Sequence, residues 1–284
     1  MLNSAASSWA SLDVEQGTDV HIDDGDLSGW RQWALTTQEH ELERVLTDFA
    51  FIADVTTLAS DCHFVGDAGT LVARYDGLPF TAVAFRSQDT TEHPRHVSQT
   101  IAALTRRLVQ PAEVFYCLVG KRQRSLIASA FRVLACHEEW QMLFRGDSST
   151  LDPGGSVPLT DTDLPEMKAL SEREGMIAFD QDPLARGPWY GVRRKGVLVA
   201  QGGTHLILDR AAEIGNIVTA RSHRRRGYGS QIVSALTCDL LAQGRAVFLQ
   251  VFKDNDAAIA CYEKIGFERL RTMYLLRCRL TVST

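Results

Sequence analysis

The most chemically specific pattern in the chain lies in residues 212–230. A run of strand character, 212–219 (AEIGNIVT), gives way to a short basic turn, 220–230 (ARSHRRRGYGS), and then to a helical stretch. The turn carries Arg-x-x-Gly-x-Gly as Arg224, Gly227 and Gly229. Two glycines at a strand-to-helix junction let the backbone turn tightly and approach a ligand with no Cβ in the way. The helix that follows aims free N–H groups and the positive end of its dipole into the turn, a setting that takes phosphate. Arg224, Arg225 and Arg226 add charge suited to a multiply charged anion such as a pyrophosphate. The turn is not a Walker loop, because the Gly-Lys-Ser/Thr ending is missing. It is not a dinucleotide fingerprint either, because Arg224 stands where the first glycine belongs.

The surrounding elements must hold this turn in place. Residues 162–178 read as a helix with Asp161 or Thr162 as its cap. WYGVR, a turn at Arg194-Lys195-Gly196 and VLVAQGGTHLIL then form a hairpin. From Gly227 to Leu241 the chain reads as a helix, with Ile232, Leu236 and Leu240 on one face. The segment 246–252 (AVFLQVF) is apolar on both faces, as a covered parallel strand would be. Residues 256–265 form a short helix closed by Gly266, and 273–280 (MYLLRCRL) form the closing strand.

The first half repeats this order. A helix over 38–59 precedes a hairpin over 70–86 turning at Asp76-Gly77. A helix over 97–109, a strand at 113–119, a weaker helix over 124–133 and a last strand at 139–144 follow. Arg74 and Arg193 each stand three positions before a hairpin glycine, and Ala130-Phe131-Arg132 matches Gly266-Phe267-Glu268. The halves read as a duplicated domain. The stretch 148–158 (SSTLDPGGSVP) reads as a linker, which places a boundary near residue 150, with domains 1–150 and 151–284. No glycine falls between Phe85 and Val97, and the position matching Tyr262 is Leu126, so the first domain is expected to have no comparable anion site.

Length and composition agree with this plan. The 284 residues are 45% hydrophobic and 23% charged, enough to bury cores without metals or disulfides. Residues 1–150 carry 12 basic and 20 acidic side chains, a balance of -8; residues 151–284 carry 18 and 15, a balance of +3. A nucleic-acid binder would want a strongly basic domain. Asp23, Asp24 and Asp26 lack the spacing of a calcium loop and read as a solvated acidic turn. The six cysteines show no CxxC spacing, so no metal site is expected and a reduced, cytoplasmic setting fits best. The first residues have no signal-peptide pattern, and no apolar run reaches the ~18 residues of a membrane span.

Four features in order make residues 160–284 resemble the GNAT superfamily of acyl-CoA-dependent N-acyltransferases. They are the strand ending at Thr219, the Arg224-x-x-Gly227-x-Gly229 loop, Asn255 before the later helix, and the run Ala258-Ile259-Ala260-Cys261-Tyr262-Glu263-Lys264-Ile265-Gly266-Phe267. The resemblance implies an α/β (α+β) fold of tandem GNAT-like domains. Each would be a mixed, largely antiparallel sheet flanked by helices, with a splayed strand pair in the C-terminal domain. It implies acetyl transfer from acetyl-CoA, with no metal, to an amine of a small molecule or peptide. No nucleic acid or membrane partner is implied, and the chain would act as a monomer or homodimer.

The same resemblance assigns roles. Backbone groups of Ile217, Val218 and Thr219 would pair with the pantetheine arm, with an N–H near Val218 meeting the thioester oxygen. The N–H groups from Arg224 through Arg225, Arg226, Gly227, Tyr228 and Gly229 to Ser230 would hold the pyrophosphate. Asn255 and Ala258 would line the cofactor arm, Asn255 also being a natural N-cap. Tyr262, a phenol with an ordinary pKa of ~10, would give its proton to the departing thiolate. Glu213 is the candidate general base, acting through water, and His205 and Asn216 are candidates for acceptor contacts. The alternatives are a longer acyl donor, as in glycine N-acyltransferase-like enzymes, or a CoA-binding sensor without catalysis.

Overall fold

The computed structural model describes residues 62–66, 70–87, 94–176, 178–180, 182–207 and 210–280. The helix expected over 38–59 and the cluster at Asp23, Asp24 and Asp26 lie outside the described residues. In chain order the elements are β1 (Cys62–Gly66), β2 (Thr70–Tyr75), β3 (Thr81–Ser87), α1 (Pro94–Leu108), β4 (Val114–Gly120), α2 (Lys121–Ala130), β5 (Phe131–Phe144), β6 (Val157–Pro158) and α3 (Leu164–Glu174). There follow β7 (Trp189–Arg194), β8 (Val197–Ile207), β9 (Ala211–Thr219), α4 (Tyr228–Ala242), β10 (Ala246–Phe252), α5 (Asp256–Ile265) and β11 (Phe267–Leu280).

The chain forms two compact units. The first takes the described residues up to Asp76, Phe80–His137 and those from Met273 on; the second takes Gly77–Pro79 and Glu138–Thr272. In the first, strands run in the order β1-β2-β3-β4-β11, antiparallel except for β3 beside β4. Its core gathers Phe85, Phe115 and Phe131, the last two in edge contact at 5.1 Å, under Val97 and Ile101 of α1 and Ile127 of α2. In the second unit the order is β5-β10-β9-β8-β7-β6, antiparallel except for β9 beside β10. Ile232, Val233, Leu236 and Leu240 of α4 pack with Val247, Leu249 and Val251 of β10 in one cluster. Met167 and Leu170 of α3 pack with Trp189 and Val218 in another. Buried Gln201 ties β8 to α3, its Nε2 donating to the Met167 carbonyl (3.0 Å) and to Ser171 Oγ (2.8 Å).

Several boundaries differ from those read in sequence. The helix expected over 124–133 begins at Lys121 and stops at Ala130, because Phe131 opens a 14-residue strand. The helix expected to reach residue 178 ends at Glu174, where Gly175 turns left-handed at φ 77°. The units do not divide at residue 150. The stretch 148–158 lies inside the second unit, while β5 and β11 each contribute residues to both units. Gly, Pro and Ser mark a change of direction, and they carry no information on whether the next segment starts a new core. The strand at 139–144 therefore pairs with β10 in the second unit, and the closing strand at 273–280 pairs with β4 in the first.

The duplication is visible in element lengths. Helices α1 and α4 have 15 residues each, β4 and β10 seven, α2 and α5 ten, and β5 and β11 fourteen. Registers match too. The third residue of β10, Phe248, stands beside Glu213 as the third residue of β4, Tyr116, stands beside Ala82. On the other edge, Gln250 and Phe252 face Gln141 and Glu139, as Leu118 and Gly120 face Leu275 and Met273.

Candidate active site

The site grows from the place where β9 and β10 part. Their parallel register runs from Ala211↔Ala246 to Ile214↔Leu249 and goes no further, so the expected splayed pair is present. On its other side β9 bulges against β8: Gly203 faces Gly215 and Gln201 faces Val218, leaving two residues of β9 opposite Gly202. Asn216, at φ 54°, is one of the two. Such a bulge twists a strand and turns its backbone groups out of the ladder. Gly202 gives Ile217 room here, since a Cβ at that position would lie 2.2 Å from Ile217 Cδ1 and displace that side chain.

Beyond Thr219 the chain turns through a short 3-10 segment, Arg221–His223, and enters α4. Arg225 (φ 60°) and Gly227 (φ 79°) are both left-handed, and Gly227 is the N-cap. The bond from Gln231 N to the Gly227 carbonyl opens the helix (3.0 Å), so the N–H groups of Tyr228, Gly229 and Ser230 face out of its first turn. The three arginines divide their work. Arg224 donates to the Thr219 carbonyl and to Glu174 Oε2, both at 3.0 Å, and so fastens the turn to α3. Arg225 and Arg226 are exposed. The ring of Tyr228 joins the core, and its hydroxyl accepts from Arg194 Nε at 2.7 Å. That hydrogen bond, with the charges of Arg194 and Arg226, lowers the Tyr228 pKa.

Asn255 caps α5 through Oδ1, which accepts from Ala258 N at 3.3 Å. Tyr262, on the same helix, is half-buried with its ring 6.2 Å from that of Phe267. Desolvation, and next the neighbouring Cys261, push its ionisation well above the usual range, so the phenol stays protonated at neutral pH. Cys261 is hydrogen-bonded to Ser230, which links α5 to the first turn of α4.

Glu213 is 4% exposed, with His205 Nδ1 3.4 Å from its Oε1. The His205 carbonyl accepts from Arg186 Nη1 at 2.9 Å, and Arg186 pairs in turn with Asp180. Two residues absent from the sequence reading join this group. Glu139, 8% exposed on β5, interacts electrostatically with both Glu213 and His205. Burial, and next the charge of Glu213, raise its pKa to about 7, with His205 acting in the opposite direction. Gln250 has its Oε1 buried with no hydrogen-bond partner. The signal was alternation: Glu139 and Gln141 alternate with Trp140 and Met142, and Gln250 interrupts the apolar run of β10. Among the described residues there is no group of three or more potential metal ligands, and no helix is long and apolar enough to cross a membrane. Cys117, Cys136, Cys238, Cys261 and Cys278 are free thiols.

A model of the FR47-like protein family matches residues 189–276, the segment that contains the parted strands, the turn and α5. The chain is 30% identical over 115 residues to the ribosomal protein bS18-alanine N-acetyltransferase of Escherichia coli strain K12, which is 38% of this chain and 77% of that one. It is 42% identical over 66 residues to the uncharacterized N-acetyltransferase YobR of Bacillus subtilis, 23% of this chain. The match spans only 27% of YobR. In fold it is similar to a putative GNAT-family acetyltransferase from Novosphingobium aromaticivorans, with a TM-score of 0.65 at 23% identity over 84% of this chain and 99% of that one. It is also similar to a tandem GNAT protein from the clavulanic acid biosynthesis pathway, with a TM-score of 0.62 at 14% identity over 93% and 97%.

Proposed function

Because the chain belongs to the GNAT superfamily of N-acetyltransferases, we propose that its second unit transfers an acetyl group from acetyl-CoA to an amine, with both substrates held at once. The observation that carries this reading is the parting of β9 and β10 just past Glu213, with the donor-rich turn at the far end of β9. When bound, acetyl-CoA supplies an activated acyl carbon and a thiol leaving group.

The residues fit such a ligand. The N–H groups of Tyr228, Gly229 and Ser230, with exposed Arg225 and Arg226, suit its pyrophosphate. Gly229 leaves room, since a Cβ there would meet only Ile217, at 3.8 Å. Arg224 contributes through its backbone, its side chain being engaged with Glu174 and Thr219. Ile217, Val218 and Thr219 offer backbone groups beside the bulge, and Asn255 and Ala258 border the cofactor arm from α5. Tyr262 keeps a proton to give to the leaving thiolate, and Glu213 takes one from the acceptor amine. His205 orients Glu213, and Asn216 borders the acceptor.

Calorimetry and a thiol-release assay test the reading. Wild type should bind acetyl-CoA, and Gly229→Glu should weaken that binding about tenfold or more by setting a carboxylate at the first turn of α4. Equal binding by the two proteins would remove the turn from the site. Binding with no thiol release across an amine panel would favour a sensor.

A further inference from the structure

The basic turn between β9 and α4 carries an internal counter-ion. Glu174 is the last residue of α3, and its side chain is 4% exposed. Its Oε2 accepts from Arg224 Nη2 at 3.0 Å and lies 3.8 Å from Arg221 Nε. Its Oε1 accepts from the Arg221 backbone N–H at 3.3 Å. One carboxylate thus holds the 3-10 segment at its first residue and at the residue that closes it. A helix C-terminus repels negative charge, and a carboxylate out of water is costly without partners. Its own helix offers Arg173 Nε at 3.7 Å, so the two shortest contacts come from the turn. The turn needs holding. Arg225 is a non-glycine residue at φ 60°, a conformation that persists where its surroundings over-determine it. Three successive arginines also repel one another.

We propose that Glu174 is a positioning residue for the cofactor: it holds Arg224 back, so that the turn is set in advance to receive the pyrophosphate. This rests on the acetyl-CoA reading and adds to that site a residue from α3. With Arg224 engaged by Glu174 and the Thr219 carbonyl, exposed Arg225 and Arg226 and the N–H groups of α4 meet the ligand. Removing the carboxylate has two opposed effects. Losing a negative charge near an anion site tightens binding, and losing a preset turn weakens it. The side chains of Arg221 and Arg224 are 82% and 52% exposed, so the charge that would be released is screened by water. The loss of order acts on the backbone donors themselves, and it outweighs the charge.

The test is calorimetric titration with CoA of the wild-type chain, Glu174→Gln, Glu174→Asp, Arg224→Gln and the double variant Glu174→Gln with Arg224→Gln, each also melted thermally. Glu174→Gln should bind CoA about tenfold more weakly, and Glu174→Asp should recover part of the loss. The double variant should stay within about threefold of the weaker single variant, short of the roughly hundredfold of two independent losses, because both changes break one contact. Glu166→Gln is the control at the other end of α3, where Glu166 pairs with Arg193 at 2.9 Å; it should bind CoA within about twofold of wild type. Equal or tighter binding by Glu174→Gln, additive losses in the double variant, or the same loss in Glu166→Gln would overturn the proposal. A lower melting temperature with unchanged CoA affinity would assign Glu174 to folding alone. Wild type that bound no CoA would remove the acetyl-CoA reading and the proposal with it, an outcome distinct from all of these.

Discussion

The two units build the same succession of elements and fill one face of the sheet in opposite ways. Where the second unit places Glu213, Gln250, Gln141 and Glu139, the first places Ala82, Leu118, Leu275 and Met273 at matching registers. Both parallel pairs part early, after Ala82↔Tyr116 in one and Ile214↔Leu249 in the other. The parted strands are therefore a property of the duplicated architecture. The polar set is an addition to it, and burying polar groups opposes folding unless something repays it.

The strongest way to break this comparison is to make the second unit resemble the first at its most buried carboxylate. Glu213→Gln should lower amine acetylation by about 100-fold or more, the usual scale for a lost general base, with acetyl-CoA affinity little changed. A variant on the same face of the first unit, Leu118→Gln at the position that matches Gln250, should leave the rate within about twofold, because Leu118 is partly exposed. If steady-state assays gave both variants the same loss, the units would not differ in function.

The second contrast concerns Leu126 and Tyr262, which match when Phe131 is laid over Phe267. Leu126 is buried in the core of its unit, and Leu126→Ala should cost about 2–4 kcal/mol in chemical denaturation. The folded fraction should keep its rate per molecule. A selective loss of rate would mean that the first unit does chemistry.

These contrasts show what the sequence carried. The turn at Arg224 to Ser230, the cap at Asn255 and the stop at Gly266 were legible because short-range rules set them: positive φ, free N–H groups and a side-chain oxygen within three residues. The exchange of β5 and β11 between units was not legible, because strand pairing is decided by partners far along the chain. Glu139 lies 74 residues before Glu213, and its role depends on β5 reaching β10. Alternation could show that its strand had a polar face, without showing what that face would meet.

A smaller effect separates Glu139 from its counterpart Met273. Its folded pKa, about 7, lies above the ordinary carboxyl value, so the folded chain keeps a proton that the unfolded chain has already released. That stabilising contribution is present below the unfolded value and is lost as pH rises through about 7. Glu139→Gln removes the dependence. It should unfold at the same denaturant concentration as wild type near pH 4 and be more stable by about 2 kcal/mol near pH 8. His205 and Glu213 face the same group, so the experiment compares variants at each pH and never wild type with itself. A stability difference that did not change with pH would show that Glu139 is not held protonated by its surroundings.

The smallest expected change is at Tyr262. Its hydroxyl makes no hydrogen bond to a described residue, so Tyr262→Phe should melt within about a degree of wild type. Its rate with acetyl-CoA should fall about tenfold, the lower end for a lost general acid. An alkyl thiolate is a poor leaving group without a proton, whereas an aryl thiolate of low pKa leaves unaided. The deficit should therefore shrink toward onefold with an aryl thioester donor. A deficit independent of the leaving group would assign Tyr262 to packing, which is the role Leu126 plays at the matching position of the first unit.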